Sequence, residues 1–244
     1  MKHLHQTVLA GLAMLAATPL HADEWKHELA PYLWGSAMEG TTGIGGVTAD
    51  VDASFGDILD NLEMGFMGMY RGTRDRFSID VDTIFMALGA TERSRNGLAK
   101  ADIDVDQFVL GAAAGYAVTE KFVVLGGLRY YDLSAKVKVT GPLGNTADAE
   151  TDESWVDPYL GARYTIPLSE AWSLNLSGDI GGFGVGSDFA WQGLVTFRWQ
   201  LTERTGALAA YRYMDVDYES GNGSNRFEYD MAFSGPALGI VFTF

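Results

Sequence analysis

The sequence has no cysteine in 244 residues, only six prolines and four histidines, and its 17 lysines and arginines are outnumbered by 32 aspartates and glutamates. Without cysteine there is no disulfide scaffold and no thiolate-ligated zinc site. A formal net charge of −15 excludes a nucleic-acid binder, whose footprint is basic. His3, His5 and His21 all precede residue 23, which leaves His27 alone and rules out a multi-histidine metal centre beyond that point. Long apolar runs are missing as well. Past Ala22 the longest uncharged stretches are Gln107–Thr119 and Met231–Phe244, of 13 and 14 residues. A membrane-spanning helix needs about 20 apolar residues, whereas a tilted transmembrane strand needs about 9–11.

What is present is an even dilution of apolar by polar residues. Hydrophobic side chains make up 47% of the chain and aromatics 12%, yet the mean hydropathy is +0.01. Aromatic content at that level excludes disorder. Residues 1–22 read as a cleaved signal peptide, with Lys2 as the positive start, Thr7–Ala17 as the uncharged stretch, Pro19 ending it and Ala22 as the cleavage point. Residues 23–244 then form one domain.

That domain alternates with period 2. In Phe189–Leu201, Phe189, Trp191, Val195, Phe197, Trp199 and Leu201 share one face, while Gln192, Thr196, Arg198 and Gln200 share the other. Trp172, Leu174, Leu176 and Ile180 alternate with Ser173, Asn175, Ser177 and Asp179, and Phe77, Ile79, Val81 and Phe85 with Ser78, Asp80 and Asp82. Each such strand has one apolar and one polar face. A soluble antiparallel sheet gives the same pattern, but three features favour a barrel in a membrane. The segments are long, where ordinary strands run about 5–6 residues. Aromatics (Trp25, Trp155, Trp172, Trp199, Tyr211, Tyr213) gather toward strand ends, as interfacial girdles require. Finally, Leu238, Ile240, Phe242 and Phe244 share a face of the last strand, and with Gly239 the ending resembles the C-terminal assembly signal of bacterial outer-membrane barrels, read by the barrel-assembly machinery.

Short connections near 72–75, 119–121, 169–171 and 201–204 alternate with long ones at 39–62, 89–102, 141–153 and 220–226. Barrels of this kind have short periplasmic turns and longer outside loops, and an even strand number. The expected fold is all-β: a transmembrane antiparallel barrel of ten strands, eight and twelve being the alternatives. Residues 39–62 are placed in the first outside loop, where Asp57–Leu62 has the pattern of a short helix or plug at the mouth. Pro31, Pro158 and Pro236 fall inside expected strands, where each removes a ladder donor, so bulges are expected there.

The second half resembles uncharacterised outer-membrane barrel proteins of Gram-negative bacteria, small barrels of the OmpA and OmpW kind in the broad sense. The matching residues are Trp155–Tyr164, Gly178–Asp188 with Trp191 and Gln192, Tyr211–Tyr213, Asp217–Tyr218 and Ser234–Pro236, with Asp57–Leu62 in the first half. The resemblance implies a small outer-membrane barrel and no established activity.

Charges of both signs fall on the polar faces. The expected lumenal set is Arg71, Arg129, Arg163, Arg198 and Arg212 against Glu63, Asp80, Asp82, Asp157, Asp179 and Asp230. A selective pore uses a ring of one sign, so a nearly balanced set favours a structural network of Arg–carboxylate pairs. Acidic residues also cluster at the outer rim: Asp50 and Asp52; Asp102, Asp104 and Asp106; Asp148, Glu150, Asp152 and Glu153; and Asp215, Asp217 and Glu219. They are expected to form a solvated surface, with divalent cations bridging to lipopolysaccharide phosphates as the alternative. Gly181–Ser187 is glycine-rich but leads into a strand, so it is a hairpin and not a phosphate loop. The expected role is structural or surface-related, without enzymatic activity or cofactor. A low-conductance channel contacting solutes through Arg129, Arg163, Arg198 and Arg212 is the alternative, and a hydrolase using His27 ranks last.

Overall fold

The computed structural model describes residues 25–93, 100–141 and 144–244; the expected signal peptide lies outside the described residues. Twelve strands and one helix follow in order: β1 (Lys26–Trp34), β2 (Ala37–Ile44), β3 (Val47–Ala53), α1 (Phe55–Asn61), β4 (Leu62–Arg74), β5 (Phe77–Arg93), β6 (Lys100–Ala117), β7 (Phe122–Thr140), β8 (Thr146–Pro167), β9 (Trp172–Gly181), β10 (Phe189–Gln200), β11 (Thr205–Ser220) and β12 (Phe227–Thr243). Neighbours from β4 to β12 pair antiparallel in sequence order, β1 pairs with β4, and β12 pairs back onto β1. The result is a closed ring of ten strands, β1 and β4–β12.

The segment expected as the first outside loop is more ordered than a loop. Strand β12 is much longer than β1, so its outer half, Phe227–Ser234, would present a bare edge above Trp34. Strand β2 covers that edge and β3 folds back on β2 as a hairpin. Helix α1 then returns the chain to β4. Ser54 caps it: Asp57 N–H donates to Ser54 Oγ at 3.3 Å, and Ser54 N–H donates to the Asp57 carboxylate at 2.9 Å. Its one buried residue is Ile58, so the helix lies at the outer rim beside β2, β3 and β5.

The prolines do not sit at bulges, which corrects the sequence expectation. Among the described ladders the one register shift lies at Leu62/Met64. Each proline instead lies where one neighbouring ladder stops. The β1–β4 ladder ends at Pro31, the β8–β9 ladder ends at Tyr159 beside Pro158, and Pro236 faces Gly35 and Ser36, between β1 and β2. Pro158 and Pro236 have no ladder partner on one side, so there the missing N–H leaves no acceptor unpaired.

The apolar stripe changes faces along the long strands. On β12, Leu238, Ile240 and Phe242 point out and are exposed, whereas farther up Phe227, Tyr229, Met231 and Phe233 point in and are buried. On β11, Tyr211 and Tyr213 point out below Asp215, Asp217 and Glu219, while Arg212 points in below Met214, Val216 and Tyr218. Strands β6, β7 and β8 repeat this, with Asp104 and Asp106, Asp132, and Asp152 on the outer face beyond an apolar stretch. The lower part is therefore apolar outside and polar inside, as lipid requires, and the upper part is apolar inside and polar outside, as water requires. Aromatic pairs mark both borders. Trp172 and Trp199 stack at 5.0 Å below, and Trp191 and Tyr213 stack at 4.8 Å above. Trp191 and Trp199 are separated by about 27 Å of strand, at ~3.4 Å per residue. Tilted at about 40°, that stretch spans about 20 Å of membrane, close to the ~25 Å apolar band of such barrels.

Candidate functional site

The lower lumen holds three groups of charges. In the first, Arg129 Nη2 donates to both Asp179 oxygens at 2.9 and 3.0 Å, and Gln192 Nε2 donates to Asp179 at 2.5 Å. Gln192 Oε1 accepts from Arg212 Nε and Nη2 at 3.0 and 2.7 Å. Arg212 also meets Asp82 at 2.8 Å, and Tyr32 Oη donates to Asp82 at 2.7 Å. In the second, Arg71 and Arg163 both reach one oxygen of Asp80, at 2.5 and 2.7 Å, while Ser78 donates to the other at 2.8 Å. The third is a single pair, Arg198 with Glu28 at 2.8 Å. Planar guanidinium groups suit such shared carboxylates. Two of them also lie over aromatic rings, Arg129 on Tyr159 at 4.6 Å and Arg212 on Trp34 at 5.1 Å.

Exposure rises toward the end where the chain termini meet. Arg129 and Arg212 side chains are 3% and 5% exposed, Arg163 10%, and Arg71 and Arg198 20% and 19%. Two adjoining cavities of about 140 and 50 Å³ lie among these groups and share Arg71, Arg163 and Leu194.

Above the charges the lumen is filled with aromatic and aliphatic side chains. Tyr131 stacks on Trp155 at 4.8 Å, Trp155 stacks on Tyr218 at 3.9 Å, and Tyr229 meets Trp155 edge-on at 5.9 Å. Ile84, Val109, Met214, Val216, Met231 and Phe233 complete this plug. Asp157, fully buried, accepts from Ser187 N–H and Oγ, both at 2.7 Å, and Trp155 Nε1 donates to Ser187 Oγ at 2.9 Å. These bonds tie the 182–188 hairpin to the plug. Gly182, Phe183 and Gly184 all take positive φ there, so the turn is tight enough to deliver Ser187 to Asp157.

The expected lumenal set is thus mostly brought together, with three corrections. Asp230 is exposed on the outer face, beside Asp217, because the plug and not the charge network occupies the inner face at that height. Glu63 is exposed too. The register shift at Leu62/Met64 turns it away from the lumen, and its carboxylate lies over Gly89. Asp157 is lumenal but bonds Ser187, not an arginine. The sequence reading missed Glu28, Tyr32 and Gln192. The signal for Glu28 and Tyr32 was the alternation Glu28, Ala30, Tyr32, Trp34, obscured by His27 and Pro31 on the lipid face; Gln192 stood on the polar face of 189–201 but, being uncharged, was left out of the network.

Outside the membrane, charges pair along the surface. Glu219 accepts from Arg226 at 2.7 and 2.8 Å, which holds its carboxyl below the ordinary range and raises Arg226. Lys136 pairs with Glu150 across the β7–β8 ladder. Among the described residues no three carboxylates or histidines converge to hold a metal ion. At the C-terminal seam, Phe244 stacks on His27 at 5.7 Å, His27 shares a 2.8 Å hydrogen bond with Tyr70, and Gly239 packs closely against Pro31 and Tyr32.

The OmpT outer membrane protease of Escherichia coli superposes on this chain with a TM-score of 0.54 at 9% identity, over 94% of this chain and 99% of that one. Together with the closed ring, that likeness shows the fold. The chain has the fold of an outer-membrane β-barrel, and its apolar outer band suits a lipid surround. The translocator domain of autotransporter NalP from Neisseria meningitidis gives a TM-score of 0.46 at 15% identity, over 98% and 95% of the two chains. Ail of Yersinia pestis gives 0.42 at 11%, over 91% and 99%. No protein-family model and no curated relative matches the sequence of this barrel.

Proposed function

We propose that the barrel serves the outer membrane as a sealed structural and surface-presenting element, without enzymatic activity. The observation that carries this reading is the plug. Tyr131, Trp155, Tyr218 and Tyr229 are all buried and in mutual contact across the lumen. Aromatic rings stacked across the lumen support a barrel closed to water. The outward carboxylates of the upper half then form the face presented to the medium, where divalent cations would bridge to lipopolysaccharide phosphates. Gly239, Phe242 and Phe244 are the proposed signal to the assembly machinery. His27 lies at the opposite end from that outer face, among Trp25, Tyr70 and Phe244, which supports a role in the interfacial belt. OmpT is a protease, but at 9% identity its likeness extends to the fold alone.

Planar-bilayer recording tests the reading. The protein should insert without a stable open current; a reproducible current from the unmodified chain would replace the sealed barrel by a low-conductance channel. Peptide or lipid A hydrolysis that vanished in His27→Ala would overturn the non-enzymatic assignment.

A further inference from the structure

Above the membrane the wall is an open sheet. Strand β4 stops at Leu62, opposite Leu88, so Gly89–Arg93 of β5 pairs with β6 alone. On the other side β12 carries β2 and β2 carries β3, and among the described ladders none joins β3 to a further strand. Strand β3 is therefore a terminal strand, with α1 leading from its lower end to β4. The ladder fixes which of its backbone groups are free. Gly45 N–H donates to the Arg226 carbonyl at 2.7 Å, so Gly43 and Gly45 turn to β12 while Ile44 turns to its partner Val47. Gly45 and Gly46 both take positive φ, as a two-residue turn between Ile44 and Val47 requires. Thr48, Asp50 and Asp52 then direct their N–H and C=O away from β2. Among the described residues no backbone bond meets them.

The side chains of the same three residues lie on the outer face, at the end of an acidic band. Across the ladders one row runs Asp217, Asp230, Thr41, Asp50, and the next runs Asp215, Ala232, Glu39, Asp52. Burial, then the carboxylates of Asp230 and Asp188, push the Asp217 carboxyl above its ordinary range. Among the described ion pairs Arg226 is the base nearest this band, and it is taken up by Glu219 and Glu228. On the inner face of β3, Val51 packs against the plug.

We infer that the β3 edge takes up an extended cationic segment of a partner protein as an added strand, its basic side chains outward beside Asp50 and Asp52 and its alternate apolar ones inward beside Val51. A row of free N–H and C=O groups is a template for strand addition, and opposite charges on neighbouring strands favour the pairing. The charge also selects against a second copy of this chain. Two β3 edges paired antiparallel about Asp50 would set that residue against its counterpart, with Asp52 close on either side, and like charges so placed repel. The edge lies outside the lumen, so the proposal goes beyond the sealed-barrel reading and holds whether or not the barrel conducts.

The test is fluorescence anisotropy with a labelled heptapeptide, Lys-Val-Lys-Val-Lys-Val-Lys, capped at both ends. The full-length protein is held in nanodiscs of phosphatidylcholine, whose headgroups carry no net charge, and empty nanodiscs serve as the blank. The peptide should bind one to one. Its fully N-methylated analogue keeps every charge and loses every donor, and should bind at least about tenfold more weakly. The Asp50→Asn/Asp52→Asn double variant should lose about tenfold in affinity. Thr48→Pro removes one free N–H and no bond to β2, and should weaken binding about fivefold or more. Asp148→Asn, on the acidic rim of β8, should change nothing. If Thr48→Pro disturbs the hairpin, the methylated peptide tests the same bonds on the unaltered protein. Equal affinity for the methylated analogue would reduce the contact to adsorption on an acidic surface. A dimer of this chain that Thr48→Pro dissolved would assign the edge to a second copy. Either result overturns the proposal, as does absence of binding or unchanged affinity in the double variant.

Discussion

Trp155 on β8 lies flat against Tyr218 on β11, ring centroids 3.9 Å apart and planes 6° from parallel. Strands β9 and β10 stand between their two strands in the ring but stop lower, at the 182–188 hairpin. The stack therefore closes the wall where that hairpin falls short, helped by Ser220 Oγ donating to Glu153 at 3.2 Å.

Trp155→Ala should remove this closure. The expected cost is about 3–5 kcal/mol for a buried aromatic truncated to alanine, read as a lower urea midpoint in micelles. The same variant should convert a silent barrel in planar bilayers into one with intermittent current. A variant that stays silent at full stability would show that the plug is held by the aliphatic residues instead.

The exchange of faces along the strands gives paired substitutions with opposite outcomes. Val195→Arg, on the lipid face of β10, should cost about 2–4 kcal/mol. Asp217→Arg, on the same face but above the membrane, should cost less than about 1 kcal/mol. One turn of the wall away, Val216→Asp puts an unpaired charge into the plug and should cost several kcal/mol, on the order of a broken buried pair. Folding equilibria in lipid vesicles measure all three.

The Arg129–Asp179 pair is open to a double-mutant cycle. Arg129→Met leaves Asp179 buried with Gln192 alone, and should cost about 3–5 kcal/mol. Asp179→Leu should cost a similar amount, and the double variant much less than their sum, giving a coupling on the order of 1–3 kcal/mol. Additive losses would mean the two groups act independently.

Most of this architecture was legible in the sequence, and the main error in the lumen has one origin. Alternation gave one strand too many, Val47–Phe55, and the even-number rule of such barrels brought the count to ten; alternation also located the lipid-facing Leu238, Ile240 and Phe242 and the inward arginines. The sequence reading then carried one assumption, polar inward, through the full length of every strand. That assumption holds only where lipid touches the wall. On β12 the geometry keeps its parity, but the apolar stripe shifts from even to odd positions around Pro236, because water replaces lipid outside. Asp230 was misplaced for this reason, and the inward face of Phe227, Tyr229, Met231 and Phe233 was not read as a core. Glu63 failed differently: a one-residue slip in pairing leaves no mark in composition.

The cap of α1 makes a pH prediction. Ser54 hydrogen bonds hold the Asp57 carboxyl below its ordinary value. A carboxyl depressed in the folded state contributes stability that is fully present above its unfolded value, about 3.9, and is lost as pH falls through the lower folded value. Hydrogen exchange over residues 55–61 should therefore stay protected at pH 5 and open in that acid window, while Ser54→Ala should move the opening to higher pH. Unchanged Asp57 titration in Ser54→Ala would show that the cap is not what holds it.

The reversal of polarity along the wall also dictates an order of events. Asp104, Asp106, Asp152, Asp215, Asp217 and Asp230 stand on the far side of the bilayer, on segments whose own interior is an oily core. Only the outer, anionic face of those segments is unsuited to the hydrocarbon region while they pass through it; the inner one is apolar. The upper half therefore reaches its stable packing only after it has crossed, when Trp155 and Tyr218 first find each other in water.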